Sequence, residues 1–168
     1  MNNKQFTDHF LELKNGIKIH YIEWSTTEKV EKQEVTLFFL HGTNQTCHTW
    51  DELVDLLIPK GFRIICYEHR GHGDSSWSDN YSLSEMTKDV SETISLLKLK
   101  FEKLIICGMS LGGILAMNYV SKLKEENLFG LIIIDITPHI EDKNTKHIKQ
   151  AVSESFELDS FEAFIEVF

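Results

Sequence analysis

A serine with glycine two residues away on either side, Gly108-Met109-Ser110-Leu111-Gly112, separates two apolar stretches of this chain. The first, Leu104–Cys107, has the composition of a buried strand; the second, Gly112–Val120, that of a packed helix. A strand, a very tight turn and a helix in that order lift the serine Oγ clear of the sheet, where it can attack a carbonyl carbon. The glycines have a mechanical reason to be there. The two limbs of such a turn run so close that side chains at positions 108 and 112 would collide. The alternative is an ordinary strand-to-helix turn whose glycines serve packing alone.

Attack on a carbonyl builds negative charge on its oxygen, and fixed backbone N–H groups stabilise that charge best. The Leu111 amide, next after the serine at a helix start, is the first expected donor. The second is expected from a loop after an earlier strand, and Leu40-His41-Gly42-Thr43 is such a loop, with Thr43 N–H as the donor. His41, Gly42 and Met109 are then expected beside the substrate. A serine also needs a base and an orienting acid. Asp135, at the end of the strand next to the serine strand, reads on its own as a turn-forming carboxylate. His48, His69 and His72 fall on loops and read as structural. His69-Arg70-Gly71-His72 lacks the helix and third ligand of a metal site, so no metal is expected.

These groups need a scaffold, and the hydrophobic pattern supplies one. Phe10–Lys14 and Ile17–Trp24 flank Asn15-Gly16, the strongest two-residue hairpin signal. Val35–Leu40 and Phe62–Tyr67 read as buried strands, and Leu128–Ile136 as a last one. Trp50–Ile58 has helical spacing and ends at Pro59 and Gly61. Ser82-Leu83-Ser84-Glu85 is a capping box that opens a helix to about Leu99, with Leu83, Met86, Val90, Ile94 and Leu97 on its buried face. Strands alternating with helices predict an α/β fold: a mainly parallel sheet with helices on both faces. Residues 1–138 carry this core pattern; after Pro138 two short amphipathic segments, about Asp142–Phe156 and Ser160–Phe168, follow with no further strand.

A chain of 168 residues suits one domain, with 42% hydrophobic and 26% charged residues. The net charge of −9 and the lack of a Lys/Arg cluster argue against nucleic acid as a partner. No apolar stretch approaches bilayer-spanning length, and the N-terminus lacks the pattern of a secretion signal. Three scattered cysteines, Cys47, Cys66 and Cys107, fit reduced thiols, so a cytoplasmic location is expected.

Taken together, His41-Gly42-Thr43-Asn44, Glu68–Ser75 (E-H-R-G-H-G-D-S) and Gly108–Gly113 resemble, in order and spacing, three signature segments of the α/β-hydrolase family. The resemblance implies Ser110 as nucleophile, Thr43 and Leu111 as the oxyanion hole, and Arg70–Ser75 beside the site entrance. It also implies that residues 139–168 begin a helical cap, and it makes Asp135 a candidate acid, since some relatives keep the acid at that strand end. Glu68 stands where the family commonly has Asp. A serine in place of Asp disfavours epoxide and haloalkane chemistry, leaving esters, lactones and related carbonyl compounds of small molecules, with no cofactor. The family places its acid and histidine after seventh and eighth strands, for which the chain after Ser110 is too short. The expectation is therefore an N-terminal portion, truncated after the sixth strand, weak or inactive alone and prone to self-association through the sheet edge. The competing expectation is a non-catalytic ligand-binding or regulatory protein. Nucleotide binding at the glycine turn lacks a Walker lysine and the G-x-G-x-x-G spacing.

Overall fold

Along β3 (Val35–Leu40) successive side chains enter opposite layers: Leu37 and Phe39 join one buried cluster, Phe38 and Leu40 the other. A strand buried on both faces must read as continuous apolar sequence, which explains its composition. The computed structural model describes residues 4–26, 29–101, 103–123 and 128–136, all within one unit of the chain, Met1–Ile136. The cap expected over 139–168 lies outside the described residues.

Six strands form one sheet: β1 (Lys4–Glu12), β2 (Lys18–Thr26), β3, β4 (Arg63–Tyr67), β5 (Lys103–Met109) and β6 (Leu128–Ile134). Their spatial order is β1-β2-β4-β3-β5-β6. The β1–β2 and β2–β4 pairs are antiparallel, and β4–β3, β3–β5 and β5–β6 are parallel. Parallel neighbours need crossovers, and three helices provide them. A 3-10 turn (Cys47–Trp50) and α1 (Asp51–Leu57) cover one face through Trp50 and Val54, against Leu37, Phe39, Ile64 and Cys66. On the other face, α2 (Leu83–Leu96) and α3 (Leu111–Val120) pack Val90, Ile94, Leu115 and Ala116 against Phe38, Leu40, Ile65 and Ile106. The mainly parallel, doubly covered sheet is the expected architecture.

Three details differ from expectation. The first strand begins at Lys4 rather than Phe10, because one of its faces is exposed and polar residues suit it. The hairpin turn is not a two-residue loop: Gly16 N–H donates to Leu13 O (2.9 Å), Leu13 N–H donates to Ile17 O (2.8 Å), and only Gly16 has positive φ. A three-residue loop closed by a glycine bulge results, since Asn15 does not adopt the left-handed conformation of a two-residue turn. Leu83 is 42% exposed rather than buried, because it sits at the first turn of α2, short of the sheet. Ser82 Oγ does accept the Glu85 N–H (3.4 Å), as its box predicts, but the Ser82 N–H donates to Asn80 Oδ1.

The loop after β4 is fastened to α2 by an ion pair out of solvent. Arg70 Nε and Nη2 donate to Asp89 at 2.6 and 2.7 Å, and Nη1 donates to Asn80 O at 2.7 Å. Both side chains are almost fully buried, 3% and 1% exposed. Removing one partner of such a pair strands the other charge in a poor solvent. Asp89→Ala is expected to cost about 3–5 kcal/mol, read as a lower midpoint in guanidinium unfolding at unchanged slope. A loss under about 1 kcal/mol would contradict the role assigned to the pair.

Candidate active site

Ser110 follows the last residue of β5 and caps α3, with φ 49° and ψ −114°. A non-glycine residue in that region is strained by about 1–3 kcal/mol, and persists only where its surroundings over-determine it. Here they do. Ser110 N–H donates to Ile134 O at the end of β6 (3.0 Å), and Ser110 O accepts the Ile114 N–H inside α3 (3.0 Å). The limbs touch at the glycines: a Cβ on Gly108 would strike the Gly112 carbonyl, and one on Gly112 the Leu40 carbonyl. Ser110 itself is half-buried at the C-terminal end of the parallel strands, where a turn residue can meet a ligand.

Leu111 opens α3, so its N–H is among those at a helix start with no partner within the helix. The loop after β3 comes alongside: Gly112 N–H donates to His41 O (3.1 Å), and a Cβ on Gly42 would stand 3.4 Å from Ser110 Cβ. Gly42 N–H is taken by Gln45 Oε1 at 2.7 Å. Thr43 is exposed in the turn that follows. The structure thus brings Gly42 beside Ser110 and Leu111, with Thr43 next in the chain. Met109 is half-buried and packs against the α1-side cluster. Asp135 is exposed at φ 55°, one residue past the carbonyl that takes the Ser110 N–H. His139 and His147, which follow the serine in sequence, lie outside the described residues.

His41 departs from expectation. Its ring is fully buried, with Nδ1 2.7 Å from Gly42 O and Nε2 accepting the His69 N–H (3.2 Å), so it offers no polar atom to a substrate. The ring is held inward by its own contacts, with the Gly42 carbonyl on one side and the His69 N–H on the other. Burial pushes the His41 imidazole down to about 4 and His69 well below the usual range. His48 is instead exposed beside Asp51 (3.2 Å), as a loop-structural histidine would be.

Sequence reasoning missed the cluster under the loop after β4. Glu68 Oε2 accepts from His20 Nδ1 (2.7 Å) and Asp74 N–H (2.8 Å), while Oε1 accepts the Cys47 N–H (3.2 Å). Asp8 Oδ1 faces the other ring nitrogen of His20 at 3.0 Å. The signal was a carboxylate, Glu68, directly after an apolar strand, which must find donors once buried. His20, Cys47 and Glu68 form the one group among the described residues with the spacing of metal ligands. The carboxylate is already saturated with donors, however, and burial together with Glu68 pushes the Cys47 thiol far up, which opposes a metal-binding thiolate. Burial alone would raise the Glu68 carboxyl, but the hydrogen bonds from Asp74, His20 and Cys47 outweigh it and lower it.

These groups give the fold an acid sensitivity. In the unfolded chain a histidine takes up its proton near pH 6.5, whereas folded His41 resists until about pH 4. The unfolded state therefore binds more protons between those values, and stability falls as pH falls through them. His41 alone accounts for about 3 kcal/mol of loss by pH 4. Glu68 adds a loss only below its unfolded value of 4.5. Guanidinium midpoints measured from pH 7 to pH 4.5 are expected to decline steadily; a flat profile would contradict the buried neutral ring.

The profile of the family described as alpha/beta hydrolase fold matches residues 35–165. A probable protein phosphatase methylesterase 1 of Dictyostelium discoideum is 34% identical over 122 residues, covering 58% of this chain and 38% of that protein. A bifunctional esterase/perhydrolase of Acinetobacter calcoaceticus is 24% identical over 131 residues, covering 77% and 45%. Among solved structures, an alpha/beta hydrolase from Novosphingobium aromaticivorans superposes with a TM-score of 0.75 at 18% identity, covering 92% of this chain and 52% of that one. The chain thus spans about half, or less, of the length of these relatives.

Proposed function

Because the chain belongs to the α/β-hydrolase fold family, we propose that it carries the nucleophile and oxyanion portion of a serine hydrolase of small carboxylic esters, lactones or related carbonyl compounds. The observation that carries this reading is Ser110, held at φ 49° at the start of α3 and beside the Gly42 loop. Two relatives whose names include esterase or methylesterase activity support the substrate class.

In this reading Ser110 Oγ attacks the carbonyl carbon and gives its proton to a base. The amides of Leu111 and Thr43 hold the oxyanion, and the alcohol leaves with the proton, giving an acyl-enzyme that water hydrolyses. The histidine base and its acid come from outside the described residues. Asp135 is a weaker candidate for the acid, since its left-handed backbone equally suits a turn. A cytoplasmic location is supported by three free, buried cysteines, and no described helix is long and apolar enough to cross a membrane.

A fluorophosphonate probe tests the reading. Covalent labelling is expected at Ser110, slowly where no histidine base assists it, and should vanish in Ser110→Ala. A folded protein that resists the probe would favour a ligand-binding role without catalysis. Self-association is a further part of the proposal: β6 pairs with β5 alone among the described residues, and Phe129 and Ile132 on it are 64% and 47% exposed. Light scattering is expected to give a mass above that of one chain, and a clean monomer would remove this part.

A further inference from the structure

We infer that His69 is a positioning residue for the oxyanion loop, acting through His41 to fix the peptide plane that carries the Thr43 N–H. The inference rests on the reading of Thr43 as an oxyanion donor. Its starting point is planarity: in a trans peptide the carbonyl of one residue and the N–H of the next lie in one plane and point opposite ways. None of the described peptides is cis. Whatever holds the Gly42 carbonyl therefore aims the Thr43 N–H.

The Gly42 carbonyl is held by His41 Nδ1 at 2.7 Å. A carbonyl only accepts, so Nδ1 carries the hydrogen, and the neutral ring keeps Nε2 as an acceptor. The His69 backbone N–H fills that acceptor at 3.2 Å, a bond available only to this tautomer. The His69 side chain then returns to the same residue: its Nε2–H donates to His41 O at 2.8 Å. That carbonyl also accepts the Gly112 N–H from the helix behind Ser110, at 3.1 Å. His41 is thus gripped from main chain and side chain by one residue of the loop after β4, and tied to the nucleophile helix by the same oxygen.

Two further observations fit. The His69 residue is 1% exposed and its Nδ1 meets no partner, so nothing competes with the Nε2 contact to His41 O for the hydrogen of a neutral ring. The two rings lie 4.3 Å apart between centroids, and burial disfavours charging either of them. A protonated His41 would set an N–H against the His69 N–H and break the grip.

The experiment combines imidazole nitrogen NMR with the rate of fluorophosphonate labelling in the full chain. The wild-type spectrum is expected to report His41 as the Nδ1–H tautomer and His69 as Nε2–H at neutral pH. His69→Leu, which keeps the backbone N–H but has no side-chain donor, is expected to label about 10- to 100-fold more slowly and to shift the His41 ring and Thr43 amide signals. His69→Gln, whose amide can still donate to His41 O, should recover most of the rate. The inference is overturned by the other tautomer of His41, by unchanged rate and spectra in His69→Leu, or by His69→Gln failing as badly as leucine. If His69→Leu does not fold, the wild-type tautomers and the glutamine variant decide. If the wild type takes no label, the serine reading fails separately, and the tautomers with the Thr43 amide shifts decide the grip.

Discussion

One backbone hydrogen bond, from Gly112 N–H to His41 O at 3.1 Å, ties the turn after β3 to the helix after β5. The two strands are parallel neighbours in register, Leu40 beside Gly108, so their following segments emerge side by side. Emergence alone does not bring them into contact. A Cβ at position 112 would stand inside the Leu40 carbonyl, and the two backbones close only because none is there. The geometry of the corner is thus set by missing side-chain volume, and the strained Ser110 backbone follows from it.

Behind that corner the loop after β4 has its own anchors, each using a buried polar group that is costly to leave unpaired. Glu68 collects donors from β2, from the Cys47 amide and from Asp74. Ser75 Oγ donates to Glu68 O at 2.9 Å and accepts the His20 N–H at 2.9 Å, continuing the contact with β2 past the end of β4. Arg70 grips α2 through Asp89. A segment without regular secondary structure is in this way as firmly specified as the strands. Its rigidity is available to whatever it touches, His41 included.

Much of this was legible in the chain because it rests on short-range rules. Val35–Leu40, Leu104–Cys107 and the glycine-flanked serine carry strand, turn and helix within a dozen residues, so apolar runs and glycine spacing sufficed. The buried polar contacts were not legible in the same way. Asp89 interrupts the apolar stripe of α2 between Met86 and Val90, a sign that a charge is going inward, but nothing local names Arg70 as its partner. His41 reads as a pocket residue from its place in the sequence, and the partners that hold its ring inside, the Gly42 carbonyl and the His69 N–H, include one 28 residues away. Leu83 and the hairpin loop failed for smaller reasons: a helix face begins a turn later than its periodicity suggests, and Asn15 keeps negative φ.

The positive-φ conformation of Ser110 belongs to its main chain, not to its hydroxyl. Its cost would be much the same for any unbranched side chain at that apex, and the apex would present each of them to the same spot. The bend therefore dictates where a side-chain atom stands while leaving its element open. Exchange of oxygen for sulfur, or of an alcohol for a carboxylate, changes the chemistry offered without asking the surrounding backbone to move.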